Sequence, residues 1–413
     1  MKFSDYSINE DVKRNLDALG FKKPTDIQFK SIPPILRGED VLAIAQTGTG
    51  KTAAFAIPII HLIHQRKASK RTDFIQCIVM VPTHELALQI QEVFNQIANK
   101  TRVKTMCIFG GVEQEAQIQT LYKGVDIVIA TPGRMFDLQH QGVLDLSKID
   151  ILVLDEADHM LDLGFIKDIQ DMQRFLPKKR QTLFFSATIN EKIKKLAYSL
   201  VSNAIRIQIS PKDPVSKNVQ HAVAFINMDD KRFFLERIIN EHHDKKILVF
   251  VRTKVRAERV AAAMERAEIK TLTMHSDKEH KERLRVMEAF KQGKIKVLIA
   301  TDINARGIDI PNVDYVVNYD LPDEPENYVH RVGRTGRGDK KGQAISFCSE
   351  EEKPTLKIIE TFLHKPVHVI DIEKSDYMET IEFANDTMEK EDLKSLLKEV
   401  EQFEKSNKKR KRK

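Results

Sequence analysis

Three acidic side chains stand at the end of an apolar run in ILVLDEADHM, residues 151–160. Residues 151–154 are typical of a buried strand, whereas Asp155, Glu156 and Asp158 follow it directly. Like charges this close repel one another, and burial raises the pKa of a carboxyl group. The pattern therefore predicts a positive partner that neutralises these acids.

A glycine-rich loop indicates a bound nucleotide, whose metal ion would be that positive partner. AQTGTGKT (45–52) follows the apolar run VLAIA and matches the phosphate-loop pattern G-x-x-x-x-G-K-[ST], except at its first position. Its glycines allow backbone N–H groups to curl around phosphate oxygens, and the start of the next helix favours an anion. The residues expected to surround the nucleotide are Ala45, Gln46, Thr47, Gly48, Thr49, Gly50, Lys51 and Thr52.

Together the two stretches predict a metal–triphosphate site, because ligands of parallel sheets gather at the carboxyl ends of the strands. Lys51 would reach the β- and γ-phosphates, and Thr52 and Asp155 would hold Mg²⁺, Asp155 through water. Glu156 would orient or deprotonate the attacking water. The alternatives are a glycine turn and an exposed acidic turn, which the order of strand, loop and helix disfavours.

The elements that must position these residues alternate along the chain. Short unbroken apolar runs indicate strands buried on both faces, and helix-like segments such as 84–98 separate them. This alternation predicts an α/β protein with mostly parallel sheets. The stretch SPKDPVSKN (210–218) breaks the pattern as a linker, and a second strand–helix series follows. Pro58 is expected to kink or shorten the helix after the loop.

Bulk properties narrow the class further. The 413 residues are enough for two or three domains, and no apolar run among them is long enough to cross a bilayer. The first residues are polar and mixed in charge, so we expect them not to be a secretory signal. Cys77, Cys107 and Cys348 lie far apart in apolar runs, as expected of reduced core residues in a cytoplasmic protein. Seven of the 67 Lys and Arg residues lie in 405–413, and the remaining 60 balance the 60 acids.

Several further motifs occur in order: GFKKPTDIQ (20–28), GG (110–111), TPGR (131–134), SAT (186–188), ATDINARGIDI (300–310) and HRVGRTGR (330–337). With DEAD (155–158) and the glycine-rich loop, they make residues 3–370 resemble the DEAD-box RNA helicases, most closely their bacterial RhlE-type branch. The resemblance implies two tandem RecA-like domains. It places a Q-motif region at 1–29, an ATP-binding domain at 30–209, the linker at 210–218, a second helicase domain at 219–370 and a C-terminal extension at 371–413.

The resemblance also implies roles for single residues in ATP binding. Gln28 would read adenine with its amide donor and acceptor, and Phe3 would stack on the base. A loop glutamine and an N-terminal core contact are the respective alternatives. Asp309 would bind the ribose. Arg334 and Arg337 would stabilise charge on the γ-phosphoryl group in the transition state, with a solvated basic turn as the alternative.

For RNA, the resemblance implies contacts with phosphates and 2′-hydroxyls that carry no sequence code. The matching residues are Thr83, Gly110, Gly111, Thr131, Arg134 and Thr301, although threonines and glycines at strand ends more often make turns. Four residues would couple the ATP site to RNA: Asp158, Ser186, Thr188 and His330. Four departures from the family pattern put single RNA contacts in doubt: His84, Ser276, His280 and Asn304.

The resemblance implies an ATP-dependent RNA helicase that hydrolyses ATP and bends one strand to separate short duplexes or remodel RNA–protein complexes. An ATP-gated RNA clamp or scaffold with little unwinding and a DNA translocase stay open as alternatives. A GTPase is disfavoured, because the sequence contains no N-K-x-D motif. The expected partners are RNA and ribosomal or RNA-decay proteins, with no membrane association, and the protein is expected to be a monomer.

The basic tail yields a prediction. If residues 405–413 tether RNA nonspecifically, removing them should weaken RNA binding and flatten its salt dependence by at most about 5 in the log–log slope, for seven charges at about 0.7 each. Fluorescence anisotropy with a labelled single-stranded RNA across a salt series measures the slope. Basal ATP turnover is the control and should not change. An unchanged slope would identify the tail as a solubilising end.

Overall fold

The computed structural model describes residues 2–46, 48–69, 74–209, 215, 218–302, 313–336 and 341–382. Four residues singled out from the sequence lie outside this part of the chain: Thr47, Asn304, Asp309 and Arg337. Most of the predicted linker, the expected helix at 391–404 and the basic tail also lie outside it. The chain divides into two compact units, and the second begins at Val215.

The first unit is built on a seven-stranded sheet whose strands are all parallel, in the order β3-β4-β2-β5-β6-β1-β7. β1, β2, β4, β5 and β6 are buried along their whole length, which explains their continuous apolar sequences. The strands are β1 Val41–Ala45, β2 Cys77–Met80, β3 Thr105–Ile108, β4 Ile127–Ala130, β5 Ile151–Leu154, β6 Gln181–Ser186 and β7 Ile205–Ile209.

Helices cover both faces of this sheet and enclose two apolar clusters. Side-chain caps explain several starts, for example Asn9, Thr83 and Asn190, which each accept a hydrogen bond from a first-turn N–H. The helices are α1 Glu10–Ala18, α2 Asp26–Leu36, α3 Lys51–Ser69, α4 His84–Ile97, α5 Glu115–Tyr122, α6 Pro132–His140, α7 Ala157–Asp162, α8 Ile166–Met172 and α9 Glu191–Leu200.

The second unit has a seven-stranded parallel sheet of its own, in the order β10-β11-β9-β12-β13-β8-β14. Counted from the first strand of each sheet, the two orders are identical. The strands are β8 Val219–Phe225, β9 Ile247–Phe250, β10 Thr271–Met274, β11 Val297–Ala300, β12 Tyr315–Asn318, β13 Gly342–Cys348 and β14 His368–Ile370. The sequences VIATPGR (128–134) and LIATDINARG (298–307) share a short similarity, and they begin on β4 and β11, the fourth strand of each unit in chain order.

Helices of the second unit again alternate with strands. They are α10 Lys231–Glu241, α11 Lys254–Arg266, α12 His280–Lys291, α13 Pro325–Val332 and α14 Lys353–Leu363. Residues 374–382 are also helical. This last segment packs on α10, where the rings of Phe234 and Tyr377 lie 4.9 Å apart and Arg237 donates to Thr380 at 2.7 Å.

The structure confirms the prediction of an α/β fold with parallel sheets and corrects two details. Pro58 does not shorten α3, which runs through it as far as Ser69. The exposed edge strand β14 was missed, because three residues carry too little apolar pattern. All three cysteines are free, with Cys77 and Cys348 buried and Cys107 partly so. Among the described helices, none is both long and apolar enough to span a membrane.

A buried ion pair holds the second unit together at the carboxyl edge of its sheet. Lys231, the first residue of α10, is fully buried, and its Nζ donates to Glu352 Oε2 at 2.5 Å. It also donates to the carbonyl oxygens of Tyr319, at 2.8 Å, and Phe347, at 3.4 Å. Glu352 accepts further bonds from the backbone N–H groups of Leu321 and Ser349. The pair therefore ties α10 to the ends of β12 and β13.

Replacing one member of this pair should destabilise the protein strongly. Lys231→Met leaves the buried Glu352 with only Arg252, whose Nη2 lies 3.3 Å from Glu352 Oε1, and because the fully buried member of the pair is lost we expect the free energy of unfolding to fall by about 3–5 kcal/mol. Urea denaturation followed by circular dichroism measures the change. The matched control is Lys281→Met at an exposed position of α12, which should change stability by no more than about 0.5 kcal/mol. Equal stability of the two variants would contradict the structural role assigned to Lys231.

Candidate functional site

The glycine-rich loop lies between the end of β1 and the start of α3. Gly48 has φ +80° and Gly50 has φ +92°, both in the left-handed region that glycine adopts without steric cost. Thr49 Oγ1 donates to the carbonyl oxygen of Gln46 at 2.7 Å, which closes the loop on itself. α3 then begins at Lys51, so Thr52 lies in its first turn, where backbone N–H groups have no helical acceptor.

Lys51 is the most telling side chain of this loop. It is 6% exposed, and its Nζ has no hydrogen-bond partner among the described residues. Lys231 occupies the equivalent place in the second unit, since each lysine begins the helix after the first strand of its sheet. Glu352 and two carbonyl oxygens hold the Lys231 ammonium, whereas the Lys51 ammonium has no such partner among the described residues. A buried ammonium group without an internal partner can bind an outside anion such as a phosphate.

Asp155 and Glu156 lie at the end of β5, two strands from β1 in the sheet. Asp155 is 3% exposed, and burial raises its pKa to about 6; Lys51 opposes the shift, while Glu156 and Asp158 add to it. Its Oδ1 accepts a hydrogen bond from the Glu156 N–H at 3.0 Å. Lys51 therefore offsets the burial of Asp155 only in part.

Glu156 is held in an uncommon backbone conformation, with φ 52° and ψ 48°, directly before α7. The Nδ1 atom of His159 lies 3.4 Å from its Oε2 atom, and both side chains are buried. Sequence reasoning missed His159. The signal was its spacing of three residues from Glu156, which brings the two side chains together where a helix begins.

Asp158 joins the end of β5 to the end of β6. One carboxylate oxygen, Oδ2, accepts hydrogen bonds from the N–H of Ala187 at 3.2 Å, from the N–H of Thr188 at 3.0 Å and from Thr188 Oγ1 at 3.1 Å. Ser186, the last residue of β6, is fully buried, and its Oγ has no hydrogen-bond partner in the described part of the chain. The structure thus brings Asp158 and the SAT motif into direct contact.

Gln28 links the N-terminal region to the loop. Its Oε1 accepts from the Thr25 N–H at 3.0 Å, and its Nε2 donates to the Gly50 carbonyl oxygen at 3.1 Å. One lone pair and one N–H of this amide are left for a base. A Cβ atom at Gly50 would lie 2.5 Å from Gln28 Nε2, so this close approach needs glycine. The sequence did not reveal this contact.

Phe3 is placed in the core of the first unit. It is 4% exposed, and its ring packs against Phe21 and Tyr6, with centroid distances of 5.9 and 6.1 Å. This is the core contact that the sequence left open as an alternative to stacking on adenine.

The RNA candidates of the first unit lie at the other half of the same sheet edge. β2, β3 and β4 are neighbours, and the candidates follow their carboxyl ends: Thr83, Gly110, Gly111, Thr131 and Arg134. Thr83 caps α4, and Arg134 donates to the Val112 carbonyl oxygen at 2.9 Å. His84 stacks on Phe109, with ring centroids 5.2 Å apart. The phosphate loop and these residues therefore lie along the same edge of the sheet, but they follow different strands.

In the second unit, Thr301 follows β11, as Thr131 follows β4 in the first. His330 lies on α13, and the Nε of Arg334 donates to its carbonyl oxygen at 3.1 Å. Sequence reasoning missed Arg331, which is 1% exposed and contacts both carboxylate oxygens of Asp302, at 2.6 and 2.8 Å. This bidentate pair fixes HRVGR against the residue after Thr301.

Comparisons with known proteins agree with this geometry. Residues 25–196 match the DEAD/DEAH box helicase family, and residues 230–339 match the helicase conserved C-terminal domain. The ATP-dependent RNA helicases RhlB of Shewanella piezotolerans and Shewanella woodyi are 40% and 39% identical over 92% of this chain, covering 88% and 87% of their own lengths. These relatives do not confirm the predicted RhlE-type branch.

Two solved structures are similar over most of the chain. One is Saccharomyces cerevisiae Dbp5 bound to RNA and ADP BeF3, at 30% identity and a TM-score of 0.80, covering 94% of this chain and 99% of that one. The other is the DEAD-box helicase Mss116 bound to ssRNA and UDP-BeF, at 26% identity and a TM-score of 0.80, covering 92% and 81%. The two tandem RecA-like domains predicted from the sequence are thereby confirmed.

The buried carboxyl group of Asp155 should lower the free energy of unfolding of the ligand-free protein. Because burial raises the pKa of Asp155 to about 6, the folded state binds its proton more tightly than the unfolded state, and stability falls as pH rises from about 4 to about 6. Asp155→Asn removes this penalty, so we expect the variant to be more stable near neutral pH by up to about 3 kcal/mol. Urea denaturation without nucleotide measures it.

The gain in stability of Asp155→Asn over the wild-type protein should shrink near pH 4. At that pH the Asp155 carboxyl group of the folded wild-type protein is protonated and carries no buried charge. Asp145→Asn is the matched control, because hydrogen bonds from Ser147 lower the pKa of Asp145. This control should be slightly destabilised near neutral pH. A loss of stability in both variants would contradict the charge penalty at Asp155.

Proposed function

The chain belongs to the DEAD-box family of ATP-dependent RNA helicases, and from its phosphate site we propose that it hydrolyses ATP to separate short RNA duplexes or remodel RNA–protein complexes by local strand bending. The observation that carries the ATP site is the buried ammonium of Lys51, without a hydrogen-bond partner among the described residues, beside a glycine-rich loop and two buried acids. RNA as the partner is supported by the Dbp5 and Mss116 structures, which hold it.

The residues present fit a magnesium ion bound to the nucleotide. Asp155 and Thr52 would hold it, and the ion would supply positive charge to the phosphates and to Asp155, whose burial Lys51 offsets only in part. Among the described residues, no group of three or more His, Cys, Asp or Glu side chains could hold a metal by itself. Magnesium in nucleotide enzymes uses one or two carboxylates together with substrate phosphates, so this donor set is sufficient.

Glu156 is the residue that would orient or deprotonate the attacking water. Its backbone conformation and its contact with His159 fix the carboxylate at the end of β5. Lys51 would neutralise charge on the β- and γ-phosphates, and Gln28 would read the base with its remaining donor and acceptor. Asp309, Arg334 and Arg337 would contact the ribose and the γ-phosphoryl group from the second domain, a role that rests on the family resemblance.

RNA would bind along the ends of β2, β3 and β4 in the first unit and after β11 in the second. Hydroxyls, backbone amides and Arg134 suit phosphates and 2′-hydroxyls, so recognition would be independent of sequence. His84 stands where the family generally has arginine. Its ring stacks on Phe109, so it supports the local structure besides any contact with RNA. Asp158 would transmit the state of the phosphate site to this surface through Thr188.

We also propose a branch of the family, an oligomeric state, a location and protein partners for this chain. The RhlE-type branch stays a prediction, and the names of the relatives favour an RhlB-type one. We further propose a monomer in the cytoplasm that works with ribosomal or RNA-decay proteins.

The central test is ATP turnover with RNA, without nucleic acid, and with DNA of the same sequence. We expect RNA to stimulate turnover more than DNA does. Glu156→Gln should reduce RNA-stimulated turnover by about a hundredfold or more, as loss of a general base does, and retain ATP-dependent RNA binding. A coupled phosphate-release assay and RNA anisotropy measure the two properties.

Strand separation on a short RNA duplex completes this test. Equal stimulation by DNA and RNA would favour a DNA translocase, and long-lived RNA complexes without separation would favour an ATP-gated clamp. Normal turnover by Glu156→Gln would remove Glu156 from the mechanism. The control is Glu191→Gln at an exposed first-turn position of α9, which should leave both properties unchanged.

A further inference from the structure

An arginine-lined cleft lies in the second unit, apart from every residue assigned above to ATP or RNA. Its volume is about 500 Å³. Four arginines, Arg232, Arg256, Arg259 and Arg266, stand in its walls with the single acid Asp229. From this cleft we propose that the second unit docks a partner protein through an acidic peptide segment with aliphatic side chains between its carboxylates.

The cations of this cleft form a stripe along one helix. Arg256, Arg259 and Arg266 are all on α11, and their spacing of three and seven residues puts them on one face. At 1.5 Å per residue, Arg259 and Arg266 are about 10 Å apart along the axis. Side chains of an extended peptide alternate between its two faces, so carboxylates at positions i and i+2 or i and i+4, about 7 or about 13 Å apart, face the same side and bracket that distance.

The outer arginines are available to an incoming acid. Within the described chain, no carboxylate pairs with Arg259 or Arg266, and both side chains are exposed. Arg256 is different: its Nε lies 3.1 Å from Asp320 Oδ1, without the alignment of a hydrogen bond, and its guanidinium covers the ring of Tyr319 at 5.3 Å. The inner end of the cleft is thus fixed, while the outer end presents free positive charge.

The floor of the cleft distinguishes a peptide from RNA. Val260, Ala262 and Ala263 line it, and small aliphatic surfaces suit aliphatic side chains of a peptide. Single-stranded RNA is bound through stacking on aromatic faces as well as through phosphates. The only ring in the lining belongs to Tyr319, which is 5% exposed and already covered by Arg256. The described lining of the cleft therefore offers no exposed aromatic face on which a base could stack.

The test compares the intact protein with two double variants of equal charge change. Arg259→Glu with Arg266→Glu reverses the outer end of the cleft, and Lys281→Glu with Arg285→Glu reverses two exposed residues on α12 as the control. A phage-displayed library of random dodecapeptides is selected on the intact protein. A synthetic peptide of the enriched sequence is then titrated against all three proteins by fluorescence anisotropy, beside a labelled single-stranded RNA.

We expect enriched peptides with paired acids and aliphatic residues, and a loss of affinity of about tenfold or more in the cleft variant only. RNA-stimulated ATP turnover should be the same in all three proteins, which shows that they are folded. Enrichment without acidic residues, or equal peptide affinity for both double variants, would overturn the proposal. So would a tenfold loss of RNA affinity in the cleft variant with peptide binding unchanged.

One competitor comes from the chain itself. Residues 386–404 carry seven acidic and three basic side chains, and a synthetic peptide of this sequence is the third probe. If it binds the cleft arginines and the selected peptides do not, the occupant is this segment rather than a partner, and the proposal is wrong in that respect.

Discussion

The site depends on two charged groups, those of Lys51 and Asp155, that are buried at one edge of the first sheet without a full counter-charge among the described residues. Lys51 has an ammonium group without a hydrogen-bond partner among the described residues, and Asp155 has a carboxyl group whose burial raises its pKa to about 6. Both groups are almost fully enclosed, so water has little access to them. If a triphosphate with a magnesium ion binds here as proposed, it would bring the missing charges of both signs. Its binding would then gain free energy that a site already neutralised by the protein would not provide.

The second unit shows what the same topology does when that charge is neutralised internally. Its sheet has the same strand order, and Lys231 begins the helix after its first strand as Lys51 does. There Glu352 holds the ammonium group at 2.5 Å, and the lysine becomes a packing element between α10 and the strand ends. Among the described residues, one carboxylate, that of Glu352, thus distinguishes a lysine that is paired internally from one that is not. Within the second unit, Arg331 and Asp302 form a comparable internal pair.

Much of this architecture could be predicted from the sequence, because strands buried on both faces leave unbroken apolar runs. The apolar run VLAIA has the same first and last residue as β1, and DEAD begins directly after the last residue of β5. Chemistry at strand ends follows from the same logic, since parallel strands place their carboxyl ends together.

What could not be predicted are contacts between residues far apart in sequence or set by backbone geometry. The Gln28–Gly50 and Arg331–Asp302 bonds depend on tertiary packing, and the placement of Phe3 in the core depends on Phe21 and Tyr6. The left-handed conformation of Glu156 has no signature in its residue type. From the sequence, Pro58 is expected to kink or shorten α3, yet the helix continues through it to Ser69.

The three hydrogen bonds accepted by a single oxygen of Asp158 have a consequence for how the site responds. Ala187 and Thr188 cannot leave that oxygen one at a time without exposing a buried carboxylate, so the contacts should form and break together. Intermediate separations of the two strand tips are then poorly populated. If Asp158 transmits the state of the phosphate site as proposed, that transmission would be all-or-none and not graded.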